Sequence, residues 1–168
     1  DEPPLVEDFA KGAEFKPDAP GTELHQSEQN DLPLTLIWGG SQGARSINQA
    51  TWSQLSEILD RGLLIHVVGR RDWPIFQEQH LAHVLDLPTR LRERYCPVAY
   101  LHEEMPLALA AADLTVSRAG ASTLGEFPVA RLPSILVPLP YTGVAQERNA
   151  EMLVERCLLY TSDAADDT

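Results

Sequence analysis

A chain of 168 residues suits one domain flanked by tails. Its formal charge of −12 gathers at the ends: residues 1–31 hold nine acids and two lysines, 162–168 hold three acids, and 32–161 carry only −2. The chain has no basic stripe, no apolar run long enough for a bilayer and no basic-then-apolar leader. Nucleic-acid binding, a membrane-spanning helix and a secretory signal are therefore all disfavoured.

In chain order, residues 1–31 have four prolines and few apolar groups, and read as a linker or acidic arm. LPLTLIW (32–38) is a β-rich apolar run. From Ala44 to Leu59, Ile47, Thr51, Leu55, Ile58 and Leu59 recur at helical spacing, and Gly62 follows as a stop. LLIHVV (63–68) predicts a second strand, and Pro74 opens a helix through Val84. PVAYL (97–101) predicts the third strand and Met105–Ala112 a helix. LTVS (114–117) predicts the fourth strand, followed by a helix from about Ser122. SILVPL (134–139) predicts the fifth strand, and Gln146–Glu155 the last helix. Strands that alternate with helices imply parallel pairing through right-handed crossovers. The strands are nearly unbroken apolar runs, as when both sheet faces are covered. The fold class is α/β, a Rossmann-like doubly wound parallel sheet over 32–156, with ligands expected beyond the carboxyl ends of the strands.

Two of those strand ends carry chemistry. In GGSQGA (39–44) the glycines let a ligand approach the backbone, and the helix that begins near Gly43 offers free N–H groups to a phosphate. Its spacing is neither GxGxxG nor GxxxxGK[ST], and a plain tight turn is the alternative. SRAGASTLGE (117–126) repeats the theme: Gly120 permits a sharp turn, and Ala121, Ser122 and Thr123 begin a helix. Glu126 either completes a capping box with Thr123 or accepts hydrogen bonds from sugar hydroxyls. Gln146 and Asn149 suit sugar hydroxyls or a solvated helix face. In LHEEMP (101–106) the backbone of His102 could meet a base edge between the apolar Leu101 and Met105. Arg70 and Arg71 suit a phosphate or solvent.

The remaining polar residues point to less. His66 reads as a satisfied core histidine, and His25, His80 and His83 do not cluster with carboxylates. No Asp-x-Asp pair lies in the folded part, so neither a metal nor a cofactor is indicated. Cys96 and Cys157 lack metal-ligand spacing and read as inert thiols in a reducing compartment.

GGSQGARSIN, ADLTVSRAGASTLGEF, LPSILVPLP and VAQERNA, in this order and spacing over about 32–156, resemble the donor-binding half of the MurG family. These bacterial glycosyltransferases add N-acetylglucosamine to lipid I. The resemblance implies the C-terminal half of a GT-B glycosyltransferase that grips UDP-N-acetylglucosamine. It implies that Gly40, Ser41, Gln42 and Gly43 meet the diphosphate, and that His102 reads the uracil edge with Leu101 and Met105 beside it. Ala121, Ser122 and Thr123 would face phosphate, Glu126 would hold the ribose, and Gln146 would touch the sugar. It implies a lipid I acceptor and peripheral contact with the cytoplasmic face of the bacterial plasma membrane.

Departures accompany the likeness. Ala145 stands where the family often has His or Gln, and Val6 stands where it usually has Arg. The family's catalytic residues belong to an N-terminal domain, so none is assigned here, and this chain alone is expected to turn nothing over. Residues 157–168 resemble a translated sequencing-adapter read-through and are set aside as a non-native tail, leaving 32–156 incomplete at its C-terminal edge. A donor subunit of a two-chain transferase and a non-catalytic UDP-binding module are the alternatives.

Overall fold

A computed structural model describes residues 32–121, 123–139, 145–156 and 160–161. The acidic arm, Val6, Ser122, Cys157 and most of the segment set aside as a tail lie outside them.

The elements alternate as the apolar runs predict. β1 (Leu34–Trp38) leads to α1 (Arg45–Ser53) and α2 (Leu55–Arg61), then β2 (Leu63–Val67). A helical run follows, made of α3 (Trp73–Ile75), a π-helical turn (Phe76–His80) and α4 (Leu81–Leu85). After α5 (Thr89–Arg92) come β3 (Tyr95–Val98), α6 (Met105–Ala111), β4 (Leu114–Ser117) and α7 (Thr123–Ala130). β5 (Ser134–Leu136), α8 (Ala145–Arg156) and β6 (Tyr160–Thr161) complete the series.

All strand pairs are parallel, in the order β3-β2-β1-β4-β5-β6. The chain starts in the middle, winds outward to β3, then returns to the other side of β1 for β4. Strand order therefore reverses between β1 and β4, and a crevice opens there beyond their carboxyl ends. Short β6 pairs with β5 through Ile135↔Tyr160 and Leu136↔Thr161.

Both faces of the sheet are covered. Leu34, Leu36, Leu63, Ile65 and Val67 pack on one side with Ala108 and Leu109 of α6, Phe127 of α7, and Ala150 and Leu153 of α8. Ile37 and Leu64 face the other way, into Ile47, Leu55, Leu59, Phe76 and Val84 from the elements between β1 and β3. Every residue of β2 is buried, which is why its sequence shows no polar alternation.

Three boundaries differ from the sequence reading. The helix expected over 44–59 breaks at Gln54, whose N–H bonds to Thr51 O at 3.3 Å. Just before the break, Thr51 Oγ1 donates to Ile47 O and Ser53 Oγ to Ala50 O, the kind of back-bonding that bends helices. The third strand begins at Tyr95 rather than Pro97, because Tyr95 and Cys96 pair with Leu64 and Ile65. Pro97 fits there because β3 is an edge strand. Leu101 lies beyond that strand and is buried in the core. The fifth strand ends at Leu136, short of the expected 139.

Candidate nucleotide-sugar cleft at the switch point

The turn after β1 is shaped by glycine. Gly43 N–H bonds to Gly40 O at 3.0 Å, and both glycines hold positive φ, +84° and +86°. A Cβ on Gly43 would collide with Val68 O, so the turn can lie directly on the end of β2. Ser41 and Gln42 form its exposed tip.

α1 then starts without the usual protection. Its N-cap is Ala44, which offers no side-chain bond, its first turn holds no acid, and its first residue is Arg45. The first amide to bond back is Asn48, to Ala44 O at 2.9 Å, which leaves the N–H groups of Arg45, Ser46 and Ile47 as open donors. A cation at the positive end of a helix runs against the macrodipole. Such a start is suited to an anion supplied from outside.

The turn after β4 meets this helix start. Arg118 donates to Val137 O at 3.0 Å, Pro138 O at 3.1 Å and Ser46 Oγ at 2.7 Å. One side chain thus ties β4, the end of β5 and the first turn of α1 together. Burial pulls its guanidinium below the ordinary range.

Between the two corners lies a cleft of about 480 Å³. Trp38, Gly39, Gly40, Gly43, Ser117 and Gly120 line it from the strand ends, and Leu139 and Gln146 close the far side. Its lining contains three arginines, Arg45, Arg71 and Arg118, and no carboxylate. Electrostatically it is built for an anion.

The expected site residues distribute unevenly around it. Gly40, Gly43 and Gln146 line the cleft, and Gln146 Oε1 accepts the Leu139 N–H at 2.9 Å. Ser41 and Gln42 stand on the turn above it, and Ala121 is exposed just past Gly120. Thr123 opens α7. Glu126, on the first turn of α7, has a buried Oε2 with no hydrogen-bond partner. Leu101, His102 and Met105 sit apart from the cleft lining, beyond β3 at the same sheet end. There His102 N–H bonds to Glu104 Oε2 at 3.0 Å, and Arg70 lies 4.4 Å from the centre of the Tyr100 ring. Asn149 is spent on the protein, donating to Ala119 O at 3.0 Å.

Residues 34–163 match the glycosyltransferase family 28 C-terminal domain. The chain belongs to this family. Relatives of family 28 include a transferase from Roseiflexus sp., 43% identical over 81% of this chain and 33% of its own length. Another, from Frankia casuarinae, is 41% identical over 73% of this chain and 31% of its own length. Both are named UDP-N-acetylglucosamine–N-acetylmuramyl-(pentapeptide) pyrophosphoryl-undecaprenol N-acetylglucosamine transferase. The crystal structure of Acinetobacter baumannii MurG superposes with a TM-score of 0.64 at 28% identity, over 84% of this chain and 39% of that one. The chain therefore spans about a third of the length of the curated relatives it matches. What it shares with them is the family 28 fold, a Rossmann-like half of a GT-B glycosyltransferase.

Trp38, Arg45, Ser46 and Arg118 line this cleft without being marked by any motif of their own in the sequence. Arg118 was visible as the first residue of R-x-G-A, and Arg45 as a cation where a helix start favours an acid.

Proposed function

We propose that the chain is the donor-binding part of an inverting glycosyltransferase of peptidoglycan synthesis. It holds UDP-N-acetylglucosamine in the switch-point cleft and presents the sugar to an undecaprenyl-pyrophosphoryl-muramoyl pentapeptide. The observation that carries this reading is the convergence of two turn-to-helix corners on one cleft lined by arginines and free of acids.

In the reaction the acceptor's C4 hydroxyl forms the new bond to the anomeric carbon while the bond from that carbon to the diphosphate oxygen breaks. Negative charge grows on the departing diphosphate. In this reading the open amides of the α1 start, beside the Gly40–Gly43 turn, take up that charge together with Arg45 and Arg71. Preorganised donors of this kind stabilise a leaving group without reorganising. Ser41 adds a hydroxyl at the turn, and the reading assigns Ala121, Ser122 and Thr123 to the phosphate from the second motif.

Glu126 takes the ribose. Its unpartnered buried Oε2 is an acceptor that lacks a donor, and two sugar hydroxyls supply one. Gln146 keeps its oxygen on Leu139 N–H and turns its amide NH₂ toward the sugar. His102 offers its backbone to the base edge once the exposed Glu104 carboxylate leaves its N–H, with Met105 beside the ring, while Leu101 is taken up by the core. The acceptor named for the relatives carries an undecaprenol chain, so the transfer belongs at a membrane surface, on the cytoplasmic side where the nucleotide sugar is available. The contact this reading assigns there is peripheral; no helix among the described residues is long and apolar enough to cross a membrane. The acceptor and its base are assigned to the length of the relatives that this chain does not span.

Calorimetric titration tests the donor site. The chain is expected to bind UDP-N-acetylglucosamine, and Glu126→Ala to weaken it by about tenfold, the worth of charge-assisted bonds to hydroxyls. Equal affinity in the two proteins would remove Glu126 from the site, and no binding by the wild type would reject the reading. Mixed with lipid-linked acceptor, the chain is expected to release no UDP.

A further inference from the structure

Asp72 is an unusual residue to find behind an anion site. It is buried at 1% exposure, at the junction between the end of β2 and α3. Its Oδ2 accepts from Asn48 Nδ2 at 3.0 Å, and Asn48 is itself fixed by Val68 O at 2.8 Å and by His66. The other oxygen, Oδ1, faces two cations: Arg71 Nε at 3.3 Å and Arg45 Nη2 at 3.7 Å. These two side chains are more than half exposed and both line the cleft. Two guanidinium groups thus share one carboxylate oxygen, and neither exhausts its donors. Arg118, by contrast, spends its guanidinium on three protein acceptors.

The charges do not cancel. One carboxylate stands against Arg45 and Arg71, leaving a net positive charge at the cleft wall with free donors. A nucleotide sugar brings a diphosphate esterified at both ends. The released nucleoside diphosphate has a free terminal phosphate with one more negative charge and one more acceptor oxygen. A pre-aimed pair of guanidiniums is the recognition chemistry for such a group.

Resting on the donor-site reading above, we infer that Arg45 and Arg71, pinned by the buried carboxylate of Asp72, recognise the terminal phosphate of the nucleoside diphosphate product. They set the cleft's preference between that product and the nucleotide sugar. Breaking the sugar–phosphate bond creates the group the pair recognises, so the same pair steadies the departing diphosphate and slows its release.

The test is a titration of the full chain with UMP, UDP and UDP-N-acetylglucosamine. It compares wild type, Arg45→Gln, Arg71→Gln and Arg71→Lys, with each variant's thermal unfolding recorded. Each Gln variant is expected to weaken UDP by about tenfold, UDP-N-acetylglucosamine by no more than about threefold, and UMP hardly at all. Arg71→Lys keeps the charge but lacks the planar fork that turns separate donors to Asp72 and to a phosphate, and is expected to restore only part of the loss. Equal weakening of all three ligands would show a general field rather than recognition, and would overturn the inference. So would unchanged UDP affinity in folded variants, or full rescue by lysine. A wild-type chain that binds none of the three would overturn the donor-site reading, and this inference with it.

Discussion

His66 shows how a single residue's chemistry is fixed by its neighbours. Asn48 spends Nδ2 on Val68 O and Asp72 Oδ2, so its Oδ1 must be the atom 3.0 Å from His66 Nε2. His66 therefore carries its proton on Nε2, and Nδ1 accepts the Tyr95 hydroxyl at 3.0 Å. Burial pushes the histidine's pKa down to about 3, against an ordinary value of 6.5. The unfolded chain thus binds a proton that the native chain refuses between those values. Stability is full above about pH 6.5 and falls as pH drops toward 3, by up to about 1.4 kcal/mol per pH unit from this group. Urea titrations from pH 7 to pH 4 are expected to show that slope, and His66→Gln, which carries no charge at any pH, to flatten it. An unchanged slope would mean that other groups govern the acid sensitivity. His66 is the satisfied core histidine that its place in LLIHVV predicts: an isolated histidine inside such a run has few other fates. Its partners were not legible, because Asn48 and Tyr95 lie 18 and 29 residues from it along the chain. The role of Arg118 is hidden for the same reason, since its acceptors lie on α1 and beyond β5, distant in sequence.

Elements were easier to read than their interruptions. Five apolar runs marked the strands because a doubly covered parallel sheet leaves little room for polar residues. The helix break at Gln54 left no such mark. Periodicity continues through it, and only the hydroxyls of Thr51 and Ser53, bonded back to carbonyls, account for the turn. The phosphate-type corner was legible because its glycines serve geometry. Gly43 combines positive φ with a Cβ direction blocked by Val68 O, and Gly69, also at positive φ, abuts Gly43. Gly43→Ala is therefore expected to cost about 1–3 kcal/mol and to push the turn off β2. Denaturant unfolding should reveal the loss, and nucleotide binding should weaken in the protein that remains folded. Wild-type stability in that variant would show that the corner tolerates a different path.

Across the whole molecule, alternation of strands and helices foretold the α/β class but not the order in which the strands lie. Parallel strands joined by helices can be laid down in several orders, and hydropathy does not choose among them. The order β3-β2-β1-β4-β5-β6 places GGSQGA and SRAGA side by side although some 75 residues separate them along the chain. That adjacency gives the cleft its two corners, and Arg118 fastens them through Ser46. It also explains why the two motifs mean more together than apart: each alone is a turn before a helix, and only the switch point makes them face one cleft. Met105 and His102, proposed above for the base, follow β3 at the same carboxyl end of the sheet, so in that reading the nucleotide spans from there to the cleft.

Amide NMR shifts on addition of UDP-N-acetylglucosamine test that claim most directly. The account predicts that the largest changes fall jointly on Gly40–Ile47 and on Arg118–Ala121, and that free diphosphate perturbs the same two stretches. Shifts confined to one corner, or centred elsewhere on the domain, would contradict it.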